Sequence, residues 1–250
     1  MMGVLEPRIV LLHGVGLDRS MWETFRAVCD RPTLALDLPG HGAQPPLREP
    51  QTLESLAQHV MSRLPEGPVH LVGFSLGALI AQYIARFAPA RVLTLTSVNS
   101  VCRRTAEESA AVARRLETAG TEFAAGVDLA IERWFPKTST SVPVQRIAAV
   151  RQVLARNDIQ SYLHAYRVFA HGDQEIGPEL GDITAPALAI TGSDDPGSTP
   201  EMSHRLGRAM PDCRVVVVPH ARHMLPIEDA PALADALTTL IDNPKRMNRD

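Results

Sequence analysis

The chain has 250 residues, 45% of them hydrophobic and 21% charged, so it can bury a sizeable core. The net charge of −3 gives no support for binding to nucleic acid or to an anionic membrane surface. The three cysteines are scattered and odd in number, which indicates a reducing compartment rather than a disulfide framework. No apolar run is long enough to span a bilayer, and residues 1–8 leave no room for a signal peptide, so we expect a cytoplasmic protein.

The first hundred residues alternate between apolar strands and amphipathic helices. Strands are predicted at Ile9–Leu12, Thr33–Leu38, Val69–Phe74 and Val92–Val98. Helices are predicted at Leu53–Leu64, with Thr52 as its cap, and directly after Ser75. Short apolar strands that alternate with helices are typical of a parallel, doubly wound sheet.

The alternation stops at about Cys102 and resumes at about Ile183. The intervening helices are predicted at Ala106–Ala119, Phe123–Phe135, Val144–Ala155 and Ile159–Phe169. Two further strands, Ala187–Ile190 and Val215–Val218, and two further helices, opened by Pro200 and by Pro231, follow this region. We therefore expect a core formed by residues 1–102 and 183–250, with residues 103–182 as a helical cap over the carboxyl edge of the sheet.

One segment, Gly73-Phe74-Ser75-Leu76-Gly77, has the G-x-S-x-G spacing of a nucleophile elbow. Apolar residues precede Ser75 and a helical pattern follows it, so the motif lies at a junction between a strand and a helix. The turn is expected to hold Ser75 in a strained backbone geometry that lifts its hydroxyl above the sheet. The two glycines are expected because side chains there would collide with the neighbouring strand and helix.

A serine hydroxyl is a weak nucleophile and needs a base, which in turn needs an orienting acid. Two later loops, each after a buried strand, contain candidates. One loop offers Asp194 and Asp195 as the acid, and the other offers His220 and His223 as the base. From the strand positions alone both choices stay open. The chain order of serine, acid and histidine is the order of one particular hydrolase fold.

The sequence resembles the α/β-hydrolase family over nearly its whole length. Five motifs match in order: His13-Gly14-Val15-Gly16, Asp37-Leu38-Pro39-Gly40-His41-Gly42, the segment around Ser75, Gly192-Ser193-Asp194-Asp195, and the segment His223–Glu228. The resemblance implies an α/β fold with a mostly parallel sheet of about six strands. It also implies a helical cap inserted after the sixth strand of the family pattern. The antiparallel strands that many members have at the N-terminus are largely missing here.

The resemblance selects Asp195 over Asp194 and His223 over His220 as partners of Ser75. It implies an oxyanion hole formed by the backbone N–H groups of Val15 and Leu76. His13 and His41 are expected to tie down their loops rather than to transfer protons. The other histidines lack ligand spacing, so neither a metal site nor a cofactor is expected.

Within the family, the cap resembles that of the 3-oxoadipate enol-lactonases and related hydrolases of ring-cleavage products. Arg133, Trp134, Tyr162 and Tyr166 are the candidate substrate-binding residues, because a cationic and aromatic set suits a small substrate that carries a carboxylate. The leading interpretation is a serine hydrolase of a small ester, lactone or thioester. We expect its partner to be that small-molecule substrate, and the protein to be a monomer or a small homo-oligomer.

Two other interpretations stay open. The same three residues could cleave the C–N or C–C bond of an aromatic-ring cleavage product. A small-molecule receptor on the same scaffold would be non-catalytic, because a fold by itself does not determine function. Dehalogenases and epoxide hydrolases are disfavoured because they have an aspartate at the position of Ser75.

Overall fold

The computed structural model describes residues 8–137 and 142–244. The expected core range also includes residues 1–7 and 245–250, and the expected cap includes 138–141; these lie outside the described residues. The strands are β1 (Ile9–Leu12), β2 (Thr33–Leu36), β3 (Val69–Phe74), β4 (Val92–Val98), β5 (Ala187–Gly192) and β6 (Cys213–Val218). They form one parallel sheet in the order β2-β1-β3-β4-β5-β6, which confirms the predicted sheet.

Helices cover both faces of the sheet and the region between β4 and β5. Those of the sheet faces are α1 (Glu23–Val28), α2 (Leu53–Met61), α3 (Leu76–Phe87), α8 (Pro200–Ala209), α9 (Leu225–Glu228) and α10 (Ala230–Asp242). Those inserted between β4 and β5 are α4 (Ala106–Thr118), α5 (Phe123–Trp134), α6 (Val144–Ala155) and α7 (Ile159–Ile176). Within the described ranges, no helix has both the length and the apolar character needed to cross a bilayer.

Alternate residues of each strand belong to different hydrophobic clusters. In β1, Val10 and Leu12 pack in a cluster that also contains residues of α2, α3 and α8, whereas Ile9 and Leu11 pack in a second cluster with residues of α1 and α10. The inserted helices join both clusters, α7 the first and α5 and α6 the second. The cap is therefore anchored to the core on both sides of the sheet.

The strand order places the crevice for a ligand next to β3. The chain passes from β1 outward to β2, and then crosses to β3 on the other side of β1. In open sheets of this kind, ligands bind beyond the carboxyl ends of the strands at such a switch point. Val15 follows β1, Ser75 follows β3, Asp195 follows β5 and His223 follows β6, so all four lie beyond the same edge.

The strand β2 ends at Leu36, two residues earlier than predicted, because side chains replace the sheet partners of the next residues. The backbone N–H of Leu38 donates to His13 Nε2 across 2.8 Å. The Asp37 carboxylate accepts the backbone N–H of Arg19 at 2.8 Å. These bonds hold the chain after Leu36 away from the sheet and tie it to the loop that contains His13.

The helix α7 continues to Ile176, well beyond the predicted end at Phe169. A buried ion pair holds the additional turns, with Arg104 Nη1 2.6 Å from Asp173 Oδ1 and each side chain 1% exposed. The Arg104 guanidinium also donates to the carbonyl groups of Phe169 and Ala170. Arg104 lies just before α4, so this cluster fastens the first part of the cap to the last.

Candidate active site

Ser75 occupies the sharp turn that the sequence predicts. Its φ of 53° and ψ of −114° lie in a region that non-glycine residues rarely adopt. A Cβ atom on Gly73 would lie 2.2 Å from the carbonyl oxygen of Gly77, and one on Gly77 would lie 2.5 Å from that of Leu12. The backbone therefore approaches too closely for side chains at either glycine, and the predicted elbow geometry is confirmed.

The backbone N–H groups of Val15 and Leu76 are the predicted oxyanion donors. Leu76 is the first residue of α3, and Val15 lies in the loop after β1. Among the described residues, neither N–H has a hydrogen-bond partner. The first N–H groups of a helix lack partners within the helix and carry its positive dipole end. This is the chemistry that the predicted oxyanion hole requires.

The loop after β1 is held by His13. Its Nε2 accepts the backbone N–H of Leu38, so Nδ1 carries the proton and donates to the Gly14 carbonyl oxygen across 2.7 Å. Burial, together with the neighbouring His41, lowers the pKa of His13 to about 3. His13 is therefore neutral near pH 7 and acts as a structural tie, in agreement with the sequence prediction.

The structure brings Asp195 and His223 into direct contact. His223 Nδ1 donates to Asp195 Oδ2 across 2.7 Å, and the two side chains are 9% and 0% exposed. Asp195 Oδ1 accepts the backbone N–H groups of Gly197 at 2.8 Å and Ser198 at 3.0 Å. Burial acts to raise the pKa of Asp195, but His223 and the backbone donors outweigh it, so the pKa is lowered. The carboxylate is thus ionised, and it holds the imidazole through Nδ1.

The alternative residues of the two loops lie elsewhere. Asp194 is exposed, and its carboxylate accepts the Ser193 hydroxyl at 2.7 Å. His220 is also exposed and lies in a turn with a φ of 62°. The geometry pairs the acid and the histidine that the family resemblance selects.

Asn99 belongs to the same network and was not predicted from the sequence. It is fully buried at the carboxyl end of β4, with a φ of 45°. Its Nδ2 lies within hydrogen-bond distance of Asp195 Oδ2 (2.8 Å), Thr191 Oγ1 (3.1 Å) and the Arg222 carbonyl oxygen (3.1 Å). Asn99 therefore links the loop that carries Asp195 to the loop that carries His223.

Glu228 supports the loop of His223 from the other side. Its Oε2 accepts the backbone N–H of Arg222 across 2.8 Å. Burial raises the pKa of Glu228 to about 7, and the Arg222 N–H opposes this rise. The Nε atom of Arg222 in turn donates to the carbonyl oxygen of Arg133 across 3.4 Å. This bond connects the loop to the cap.

The imidazole of His223 packs between two aromatic rings. The ring of Phe74 lies on one side, with 5.0 Å between the ring centroids. The indole of Trp134, from the cap helix α5, stacks at 5.5 Å with an angle of 25° between the planes. The cap thus contributes directly to the orientation of His223.

A cavity of about 490 Å³ joins the sheet edge to the cap. Val15, Ser75, Asp195 and His223 line it from the core. The four candidate substrate-binding residues line it from the cap: Arg133, Trp134, Tyr162 and Tyr166. All predicted side chains therefore meet in one cavity, of a volume typical for small-molecule sites. Among the described residues, no three His, Cys, Asp or Glu side chains are grouped closely enough to hold a metal ion.

Arg115, on α4, also lines the cavity and was not predicted. Its Nε lies 3.3 Å from the hydroxyl of Tyr166. Burial lowers the pKa of Arg133, and the positive charge of Arg115 lowers it further. Helical periodicity cannot show which arginine of a polar helix faces inward, so only the packing of the cap reveals Arg115.

Comparisons with known proteins relate the chain to one family. The model of the alpha/beta hydrolase family matches residues 9–236. The (E)-2-((N-methylformamido)methylene)succinate hydrolase of Acinetobacter baylyi is 32% identical over 229 residues, which cover 88% of this chain and 84% of that protein. The 3-oxoadipate enol-lactonase 1 of the same organism is 30% identical over 199 residues, covering 77% and 73%.

Solved structures show the same architecture. The crystal structure of the enol-lactonase from Burkholderia xenovorans superposes with a TM-score of 0.84 and 27% sequence identity. The match covers 97% of this chain and 94% of that one. The family model and the relatives show that the chain belongs to the α/β-hydrolase family.

Proposed function

We propose that the protein is a serine hydrolase that cleaves a small ester, lactone or thioester bearing a carboxylate, such as an enol-lactone. The observation that carries this proposal is the 2.7 Å contact between His223 Nδ1 and Asp195 Oδ2 in the cavity that Ser75 lines. An imidazole held through Nδ1 leaves Nε2 as the ring nitrogen that can act as the base. A base, an orienting acid and a serine are the groups that nucleophilic acyl transfer needs.

In the proposed mechanism, His223 Nε2 accepts the Ser75 proton while Ser75 Oγ attacks the substrate carbonyl carbon. The N–H groups of Val15 and Leu76 stabilise the negative charge on the carbonyl oxygen. Asp195 stabilises the imidazolium without taking its proton. The C–O or C–S bond then breaks, His223 protonates the leaving oxygen or sulfur, and Ser75 holds the acyl group as an ester.

Water then hydrolyses the acyl-enzyme, with His223 acting first as base and then as acid. His223 removes a proton from a water molecule, whose oxygen attacks the acyl carbon, and Ser75 leaves with the proton from His223. With a lactone, the leaving oxygen stays attached to the acyl chain, so the product is a hydroxy or oxo acid.

The charge of the cavity supports a substrate with a carboxylate. Arg133 is partly buried and, among the described residues, makes no ion pair. A guanidinium in an apolar setting binds carboxylates through charge-assisted hydrogen bonds. The similarity to enol-lactonases from two organisms points in the same direction.

A second candidate function is hydrolysis of a C–N bond. The relative with 32% identity, matched over 84% of its length, is named (E)-2-((N-methylformamido)methylene)succinate hydrolase. The same residues could perform this reaction, with His223 protonating the departing nitrogen instead of an oxygen. The identity of the leaving group then depends on the cavity rather than on Ser75.

Kinetics on matched substrates test the proposal. The panel contains p-nitrophenyl esters with and without a terminal carboxylate, lactones with and without a carboxylate, and the p-nitroanilides of the same acyl groups. We expect faster hydrolysis of carboxylate-bearing esters and lactones than of anilides, and a burst of p-nitrophenolate where deacylation is slow. Faster turnover of anilides would favour the C–N reaction. Equal rates for the Ser75→Ala variant would overturn both.

A further inference from the structure

Two arginines from different helices of the cap line the candidate cavity. Arg115 lies on α4, and Arg133 lies on the neighbouring helix α5. Among the described residues, neither guanidinium makes an ion pair with a carboxylate. The carboxylates in the cavity lining are Asp195, which His223 engages, and Glu132, whose side chain is at the exposed surface of α5.

Other inward-facing arginines near the cap have carboxylate partners. Arg104 pairs with Asp173 at 2.6 Å, and Arg205 pairs with Glu108 at 2.7 Å. Taking a cation out of water without a partner is costly, so unpaired cations in a cavity are expected where a ligand supplies the anion. This contrast indicates that a bound ligand supplies the anionic partners of Arg115 and Arg133.

The two arginines enter the cavity from different helices and have different neighbours. The backbone of Arg133 lies beside the loop of His223, since its carbonyl oxygen is 3.4 Å from Arg222 Nε and the adjacent Trp134 stacks on His223. Arg115 is fixed instead at the hydroxyl of Tyr166. That ring packs with Val112 and Ala170, in a cluster formed by α4 and α7.

Aromatic rings form a wall along the same cavity. The rings of Tyr162 and Tyr166 are 5.5 Å apart, and Phe123 packs on Tyr162 at 5.2 Å. These groups contact carbon atoms well but do not neutralise a cation. In a small molecule with a short carbon chain and an anionic group at each end, the chain would pack on the aromatic rings and the anionic groups would pair with both arginines.

We propose that Arg115 and Arg133 are two separate carboxylate-binding positions, so that the substrate carries two carboxylates besides the bond that is cleaved. The inference rests on the proposed function only for the placement of that bond at Ser75. Two like charges in a cavity of low polarity repel each other, and a dianion offsets both, whereas one carboxylate leaves one guanidinium uncompensated.

Binding measurements on the full chain with the substitution Ser75→Ala test this inference without hydrolysis. Calorimetric titration compares succinate, glutarate and adipate with their half-amides, which have the same length but one charge fewer. We expect at least one dicarboxylate to bind about 10- to 100-fold more tightly than its half-amide. This factor corresponds to the contribution of one hydrogen bond to a charged group. Arg115→Gln should abolish the preference, and Arg115→Lys should retain part of it.

Arg114→Gln is the matched control, because Arg114 lies on the same helix but is exposed and outside the cavity lining. This variant loses the same charge and should keep the preference for the dicarboxylate. Equal binding of each dicarboxylate and its half-amide would overturn the inference, as would an unchanged preference in Arg115→Gln. These results do not depend on whether Ser75 is a nucleophile, so failure of the proposed function would be recognised separately.

Discussion

Replacing Asn99 by Ala should lower kcat strongly while leaving KM nearly unchanged. The substitution removes the donor that lies 2.8 Å from Asp195 Oδ2, and the carboxylate keeps three donors, from His223, Gly197 and Ser198. A hydrogen bond to a charged group contributes about 1.5–3 kcal/mol. Since about 1.4 kcal/mol corresponds to a factor of ten in rate, we expect a fall in kcat of about 10- to 100-fold.

The effect of backbone strain at position 99 must be distinguished from the effect of losing the side-chain donor. Asn99 has a φ of 45°, which alanine adopts with strain and glycine adopts freely. Asn99→Gly therefore removes the same donor without the strain. If the donor matters, the two variants should lose a similar factor in kcat, although they differ in stability.

The pH profile gives a second measurement of the same role. Burial acts to raise the pKa of Asp195, whereas His223 and the backbone donors lower it. Loss of the Asn99 donor should raise this pKa, since fewer groups stabilise the carboxylate. The carboxyl pKa of Asp195, followed by NMR titration, should then be higher in Asn99→Ala than in the wild type.

Gln82→Met is the matched control for a buried amide. The Gln82 side chain is fully buried and donates to the hydroxyl groups of Ser97 and Ser100, each at 3.1 Å, without contacting Asp195. This variant should lose stability and keep its kcat. A kcat for Asn99→Ala within twofold of the wild type, or an equal loss in Gln82→Met, would refute the positioning role of Asn99.

Three further predictions concern stability. Asp173→Asn leaves the buried charge of Arg104 without its partner, so it should lower the free energy of unfolding by about 3–5 kcal/mol in urea denaturation. Gly77→Ala should cost about 1–3 kcal/mol, because the added Cβ would lie 2.5 Å from a backbone oxygen. Glu228 has a pKa raised from 4.5 to about 7, so the folded state binds its proton more tightly; stability should therefore fall as the pH rises through this window, and Glu228→Gln should flatten the fall.

Urea midpoints at several pH values decide these predictions. A midpoint of Asp173→Asn equal to that of the wild type would contradict the burial of the ion pair. Wild-type stability in Gly77→Ala would mean that the elbow can relax around a side chain. If the wild type and Glu228→Gln had parallel pH dependences between pH 4.5 and 7, Glu228 would not be the group responsible.

Much of this site can be predicted from local patterns, for physical reasons. The apolar strands, the G-x-S-x-G turn and the loops after β5 and β6 are each encoded within a few residues. Because parallel strands bring their carboxyl ends to one edge, the strand positions predict that Ser75 lies near the two later loops, and the family resemblance selects Asp195 and His223 within them. The structure agrees and adds the 2.7 Å contact between the last two.

The groups that the sequence does not reveal depend on packing between distant segments. Asn99 contacts Asp195 only because β4 lies next to β5 and its backbone has a positive φ. Arg115 reaches the cavity only through the rotation of α4 against α7, which no periodicity of a polar helix determines. The extension of α7 likewise depends on the distant pairing of Asp173 with Arg104.

Labelling with a fluorophosphonate, followed by mass spectrometry of the peptides, tests the central claim most directly. The reagent forms a covalent bond only with a serine that a neighbouring base activates in a folded site. We predict one adduct per chain, on the peptide that contains Ser75, and no adduct in Ser75→Ala or in unfolded protein. An unlabelled folded protein, or equal labelling of Ser75→Ala, would contradict the assignment of Ser75 as the nucleophile.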